Sequence, residues 1–178
     1  MYRFNYTRPH RSASFDNGVV IHEYAHGISN RLTGGPSTGG CLSTLEAGGM
    51  GEGWSDTMAL IVLAKSSDTA TTRSTMAQCG IYALGSLWSL VAKRGFSANL
   101  HDASQSAGNV VAMKIILGGM MIQPCNPTFL SARNAIILPM HPTTMVPQMR
   151  DHQAFAKRGL GARATRTRRN DFSITSGC

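Results

Sequence analysis

Two histidines four residues apart, His22 and His26, bracket a glutamate in the run His22-Glu23-Tyr24-Ala25-His26. On a helix, residues at i and i+4 share a face, so both imidazoles can be presented to one ion. Zinc held in this way lowers the pKa of a bound water and polarises a carbonyl, while an adjacent carboxylate takes the water's proton. That chemistry makes His22 and His26 candidate zinc ligands and Glu23 the candidate general base. A hydrolytic zinc site also needs a third protein ligand and an open fourth position. The run Gly51-Glu52-Gly53-Trp54-Ser55-Asp56 offers two carboxylates, again four apart. Glu52, expected in the first turn of a second helix, completes a His2Glu set. Asp56, one turn on, accepts the other ring N–H of a ligand histidine and so fixes its tautomer. Glu23, Glu52 and Asp56 are three of only nine acidic residues. Their gathering into two short stretches favours a site over ordinary helix-start charges.

These side chains need two helices to carry them. Asp16-Asn17 offers an N-cap, and Val20, Ile21, Tyr24, Ala25, Ile28 and Leu32 recur at three- and four-residue spacing. The first helix is therefore expected over about 17–33, stopped by Gly34-Gly35-Pro36. Residues 36–49, rich in Gly, Ser and Thr, read as a loop, and the second helix is expected over about 51–65. Further helices are expected over 81–93 and 108–121, from the Asn126-Pro127 start, and over 150–158 before Gly159-Leu160-Gly161. Nothing alternates with period two for long, so the class is mainly α.

Composition sets the wider bounds. With 178 residues, 42% of them apolar, and a mean hydropathy of −0.09, the chain fits one globular domain with one modest core. No run reaches the roughly 18–20 apolar residues of a membrane helix, and the first residues contain no apolar signal segment. Seventeen Lys and Arg against nine Asp and Glu give +8, and seven of the seventeen lie between Arg150 and Arg169. A nucleic-acid partner is not expected, because no recognition motif or aromatic interleaving accompanies that charge; the ordinary role of such a tail is solvation. Cys41, Cys79, Cys125 and Cys178 show no CxxC spacing, and permit up to two disulfides in three connectivities. The run GGPSTGG lacks the Gly-Lys-Ser/Thr ending of a phosphate-binding loop. Asn5-Tyr6-Thr7 is an N-glycosylation sequon, with meaning only in a secreted chain. His10, His101, His141 and His152 have no partner at ligand spacing and are expected at the surface.

At the level of whole segments the sequence resembles the fungalysin family, secreted fungal zinc endopeptidases of the thermolysin-like clan. The resemblance runs from about Tyr2 to Asp56 through FDNGVVIHEYAHGISNRLTGGPSTGGC and EAGGMGEGWSD. It resumes in AMKIILGGMMIQPCNPTFLSARNAI (Ala112 to Ile136) and AFAKRGLG (Ala154 to Gly161), and covers about half the chain. It implies one catalytic zinc held by His22, His26 and Glu52, with Glu23 as base and Asp56 supporting a ligand, in agreement with the spacing. It also implies protein or peptide substrates, a propeptide as inhibitor, a monomer, no membrane association, and secretion to the extracellular space. The expected architecture is a helical catalytic subdomain over 1–161 followed by a basic tail over 162–178.

The sequence departs from that pattern in four places. Family members carry a β-rich subdomain before the zinc helix, which lines the substrate cleft; this chain is expected to lack it, together with the signal and propeptide. The stretch between the metal helices and the next helix is shorter. A family segment resembling VHAIGEVW reads IYALGSLW over 81–88, with Tyr82 at the histidine position. A tyrosine hydroxyl there either donates to the oxyanion or only packs. Residues 139–153 lose the pattern, including a cysteine that should pair with Cys125; Met149 stands near its place, leaving Cys125 free or joined to another cysteine. The leading expectation is thus a zinc-dependent extracellular endopeptidase. The alternative is a remnant that binds zinc without a complete substrate cleft.

Overall fold

The computed structural model describes residues 3–6, 8–68, 94–102, 106–137, 153, 155–167 and 169–174. The fold is mainly α, as expected. Strand pairing among these residues is limited to a two-residue antiparallel ladder, β1 (Arg3–Phe4) with β2 (Arg11–Ser12), and one bridge between Leu160 and Asp171. A single 3-10 turn, Ala13–Phe15, leads from β2 into the first helix.

Helix α1 spans Asn17–Leu32. Asp16 caps it, accepting from the Gly18 N–H at 2.8 Å and more weakly from Val19 at 3.4 Å, which satisfies two of the donors a helix start leaves unpaired. Thr33 closes it, and Gly34 and Gly35 then turn the chain with φ of 75° and 95°. Gly34 has a second constraint: a Cβ there would run into the Cys41 sulfur, so no larger residue fits.

Helix α2 spans Leu45–Leu63, starting six residues earlier than the expected 51–65. Thr44 supplies the cap, accepting from Ala47 N–H at 3.3 Å. Gly48 and Gly49, which suggested a loop, lie within the helix, where Gly48 together with Gly51 lets it sit close against Leu42. Two consequences follow. The expected loop ends at Thr44, and Glu52 lies in the third turn of α2 and not in the first. The first-turn carboxylate is Glu46, which accepts from the Phe129 N–H at 2.7 Å.

Helix α3 spans Gly108–Ile122 and α4 spans Phe129–Ile137. The expected start at Asn126-Pro127 is also displaced. Asn126 has φ of +50° and spends its side-chain oxygen on the backbone N–H groups of Ser43 and Thr44. Thr128 does the capping, accepting from Ser131 N–H while its own N–H donates to the Ser131 hydroxyl. In the last expected helix, Gln153, Phe155 and Ala156 are helical, and Gly159 with φ of +86° ends the turn that follows. The expected helix over 81–93, Tyr82 within it, and residues 139–152, Cys79 and Cys178 lie outside the described residues.

The core forms where α1, α2, α3 and α4 meet. Ala25 comes from α1, Met50, Trp54, Met58 and Ile61 from α2, Ile115, Ile116 and Met120 from α3, and Ile136 from α4. Each fully buried side chain of this size, such as Ile116 or Met120, contributes about 1.5–3 kcal/mol through burial. Gly119 sets the approach of α3 to α4, since a Cβ there would lie 2.7 Å from Ile136 Cγ1. A substitution would force these helices apart.

A covalent tie holds the start of α2. Cys41 and Cys125 form a disulfide with 4.4 Å between their Cα atoms, which settles the fate of Cys125. Beside it Asn126 N–H donates to the Cys41 carbonyl at 2.8 Å. With Asn126 and Glu46, these contacts fix the front of α2 to the front of α4. At the C-terminal side, Gly161 N–H donates to the Asp171 carbonyl and Ala162 N–H to Ser173. The Asp171 carboxyl, accepting from the Ser173 hydroxyl and the Arg163 N–H, is held below the usual carboxylate range. Arg133 of α4 donates to the Leu160 and Gly161 carbonyls; burial lowers its guanidinium pKa, and the Asp171 charge opposes that shift. Part of the basic tail is therefore folded back onto residues 159–162, which Arg133 in turn ties to α4.

Candidate metal centre

Helices α1 and α2 pack against each other and bring four of the six singled-out side chains together. His22 and His26 lie on one face of α1, one turn apart, with ring centroids 4.7 Å apart and ring planes at 86°. Glu52 reaches both from α2: its Oε2 stands 3.1 Å from His22 Nε2 and 3.5 Å from His26 Nε2. The three donor atoms all lie within 4.8 Å of one another. The His22 side chain is 15% exposed, His26 28% and Glu52 59%, so the cluster opens to solvent on the Glu52 side.

Behind this cluster the other ring nitrogens are also engaged. His22 Nδ1 lies 2.7 Å from Asp56 Oδ1, and the Asp56 side chain is 9% exposed. A carboxylate only accepts, so a His22 Nδ1 proton is directed to Asp56, and in the neutral ring that leaves the Nε2 lone pair facing Glu52. Glu23 follows His22 directly and is exposed on α1. His10 and His101 are exposed, as expected; His141 and His152 lie outside the described residues.

The donor set fits zinc on two grounds. Ligand atoms about 2.0–2.1 Å from a tetrahedral ion stand about 3.3 Å apart, and the observed carboxylate–imidazole separations are 3.1 and 3.5 Å. The chemistry agrees: with the Nδ1 proton directed to Asp56, His22 Nε2 and Glu52 Oε2 are two acceptors in contact. A proton or a cation between them is required. Imidazole nitrogen and carboxylate oxygen are ligands that zinc accepts.

One participant is absent from the residues singled out by sequence. Ser55, fully buried in α2, places its hydroxyl 3.2 Å from His26 Nδ1. Serine is common in helices and carries no spacing signature of its own. The available signal was its position three residues after Glu52, on the same face of α2.

Asp56 gives a graded test. Asp56→Asn keeps an accepting oxygen and removes the charge that makes the His22 ring a stronger donor. Zinc affinity, read by competition with a chromophoric chelator, should fall roughly ten- to a hundredfold. An unchanged affinity would reduce Asp56 to a buried helix residue with no part in the site.

Comparison with known proteins follows the same lines. The family model described as fungalysin metallopeptidase matches residues 1–86 and 82–164. The extracellular metalloproteinase MEP of Pyricularia oryzae is 41% identical over 92% of this chain and 33% of its own length. An extracellular metalloproteinase of Pyrenophora tritici-repentis is 39% identical over 99% of this chain and 35% of its own. The extracellular metalloproteinase mep of Aspergillus fumigatus is 38% identical, with 98% and 35% covered. The chain thus spans about a third of the length of these curated relatives. Because the family model is matched from the first residue to beyond α4, the chain belongs to the fungalysin metallopeptidase family.

Proposed function

We propose that this chain carries the zinc site of an extracellular endopeptidase. The observation that carries this reading is the approach of Glu52 Oε2 to His22 Nε2 at 3.1 Å and to His26 Nε2 at 3.5 Å, with ligand atoms of all three residues within 4.8 Å of one another. These three side chains would hold the ion. Zinc there would supply Lewis-acid polarisation of the scissile carbonyl and make water a nucleophile near neutral pH. Asp56 keeps the His22 ring in the tautomer and orientation that binding needs. Glu23 takes the proton from the attacking water as oxygen bonds to the carbonyl carbon. It then delivers that proton to the leaving nitrogen as the C–N bond breaks. Tyr82 is the candidate hydroxyl donor to the oxyanion.

The substrates are proteins and peptides, and the site of action follows that of the relatives, which are extracellular by name. No described helix is long and apolar enough to cross a membrane. Residues 1–161 form the catalytic subdomain in this reading, with a propeptide as inhibitor and a monomer as the working state.

Zinc stoichiometry beside a casein assay tests the proposal. The expected result is one zinc per folded chain, removed by a chelator, with any casein hydrolysis lost together with it. A folded chain without zinc overturns the reading. Casein hydrolysis that survives removal of the zinc overturns its enzymatic half and leaves a metal-binding segment.

A further inference from the structure

We propose that Ser55 is a positioning residue for His26, the counterpart of Asp56 for His22. The inference rests on the zinc reading and extends it to a residue outside the ligand set. The two imidazole planes stand at 86° to each other, so no single support can orient both rings. Asp56 contacts the Nδ1 atom of His22 alone among the two histidines. His26 Nδ1 is met by the Ser55 hydroxyl at 3.2 Å. Ser55 has no solvent exposure, so its hydroxyl meets His26 from a position fixed by packing. Glu52, Ser55 and Asp56 stand at i, i+3 and i+4 of α2. One face of this helix therefore supplies a candidate ligand and a support for each histidine.

The two supports differ in kind. A carboxylate accepts only, so it fixes the His22 tautomer with Nε2 free to bind. A hydroxyl both donates and accepts. It accepts from His26 Nδ1–H when Nε2 faces the ion, and it can donate in the opposite tautomer. Ser55 thus holds the ring's orientation firmly and its tautomer weakly. Its removal should cost less affinity than the loss of charge at Asp56.

The test compares zinc affinity and apo stability in the full chain with Ser55→Ala. Alanine is the better helix former, and the His26 side chain, 28% exposed, can turn to water in place of the hydroxyl, so the melting temperature of the zinc-free chain should hold. Zinc affinity, by competition with a chromophoric chelator, should fall by roughly tenfold, at the low end of the range for such supporting groups. Ser55→Cys, close in volume but with a weakly accepting sulfur, should give the same loss and covers the case in which Ser55→Ala does not fold. Unchanged affinity in these variants overturns the proposal. So does a parallel loss of apo stability and affinity, which would mark Ser55 as a packing residue. A parent chain that folds without binding zinc removes the zinc reading itself, and the Ser55 proposal with it.

Discussion

Replacing His26 by alanine should leave a folded chain that holds no detectable zinc. The cluster offers three donor atoms, and only His22 and Glu52 would remain. Glu52 is 59% exposed, so water competes for its carboxylate. The loss should exceed the ten- to hundredfold expected for a supporting residue, because a direct bond to the ion disappears and two ligands hold zinc poorly. The fold itself should tolerate the change. The His26 side chain is 28% exposed and is outside the apolar core, and alanine favours helix at that position of α1. His101→Ala, at an exposed histidine away from the cluster, is the control. Metal analysis after dialysis against trace zinc, with circular dichroism on the same samples, makes the comparison. Full zinc occupancy in His26→Ala would refute the ligand assignment.

The parts of the site that rest on local spacing could be read from the sequence. His22 and His26 share a face of α1 because four residues nearly complete a turn, and the same holds for Glu52 and Asp56 on α2. That the two faces meet was expected from the chemistry alone, since neither pair by itself completes a ligand set. Helix α1 was legible because Asp16 is a strong cap and its apolar positions recur at helical spacing. Helix α2 was misplaced at its start because glycine has low helix propensity, and Gly48 and Gly49 argued for extending the preceding loop. Burial overrides that preference: α2 is the central helix, and its small residues permit close approach to its neighbours.

Other features depend on contacts that no local pattern encodes. The Asn-Pro pair before α4 looks like a cap followed by the first helical residue, yet Asn126 is held in the left-handed region. Its side chain ties down Ser43 and Thr44 instead, 83 and 82 residues away. The disulfide partner of Cys125 is 84 residues distant, and spacing could not select Cys41 among the alternatives. Ser55 falls in the same class. Its significance comes from the ring it faces on another helix. Met120 and Met121 show the same dependence within a single pair: the first is fully buried and the second 61% exposed, although both are methionine and adjacent.

Changing Glu23 to glutamine should separate binding from chemistry. Glutamine keeps the size of the side chain and its capacity to accept one hydrogen bond, and it cannot take a proton from water near neutral pH. Glu23 is exposed, and its side chain is in no ion pair among the described residues, so neither the fold nor the ligand cluster depends on its charge. Zinc content should therefore stay at the parent value. Peptide hydrolysis should fall by roughly 10²–10⁴, the contribution of a positioned general base. The fall should appear in kcat more than in KM, because the proton moves in the transition state and not on binding. Measuring zinc and turnover on one preparation guards against a preparation that has simply lost metal. Loss of zinc together with activity would make Glu23 part of the metal-binding apparatus. Full turnover with full zinc would mean that another group accepts the proton, and the pairing of Glu23 with His22 and His26 in one pentapeptide would then serve binding alone.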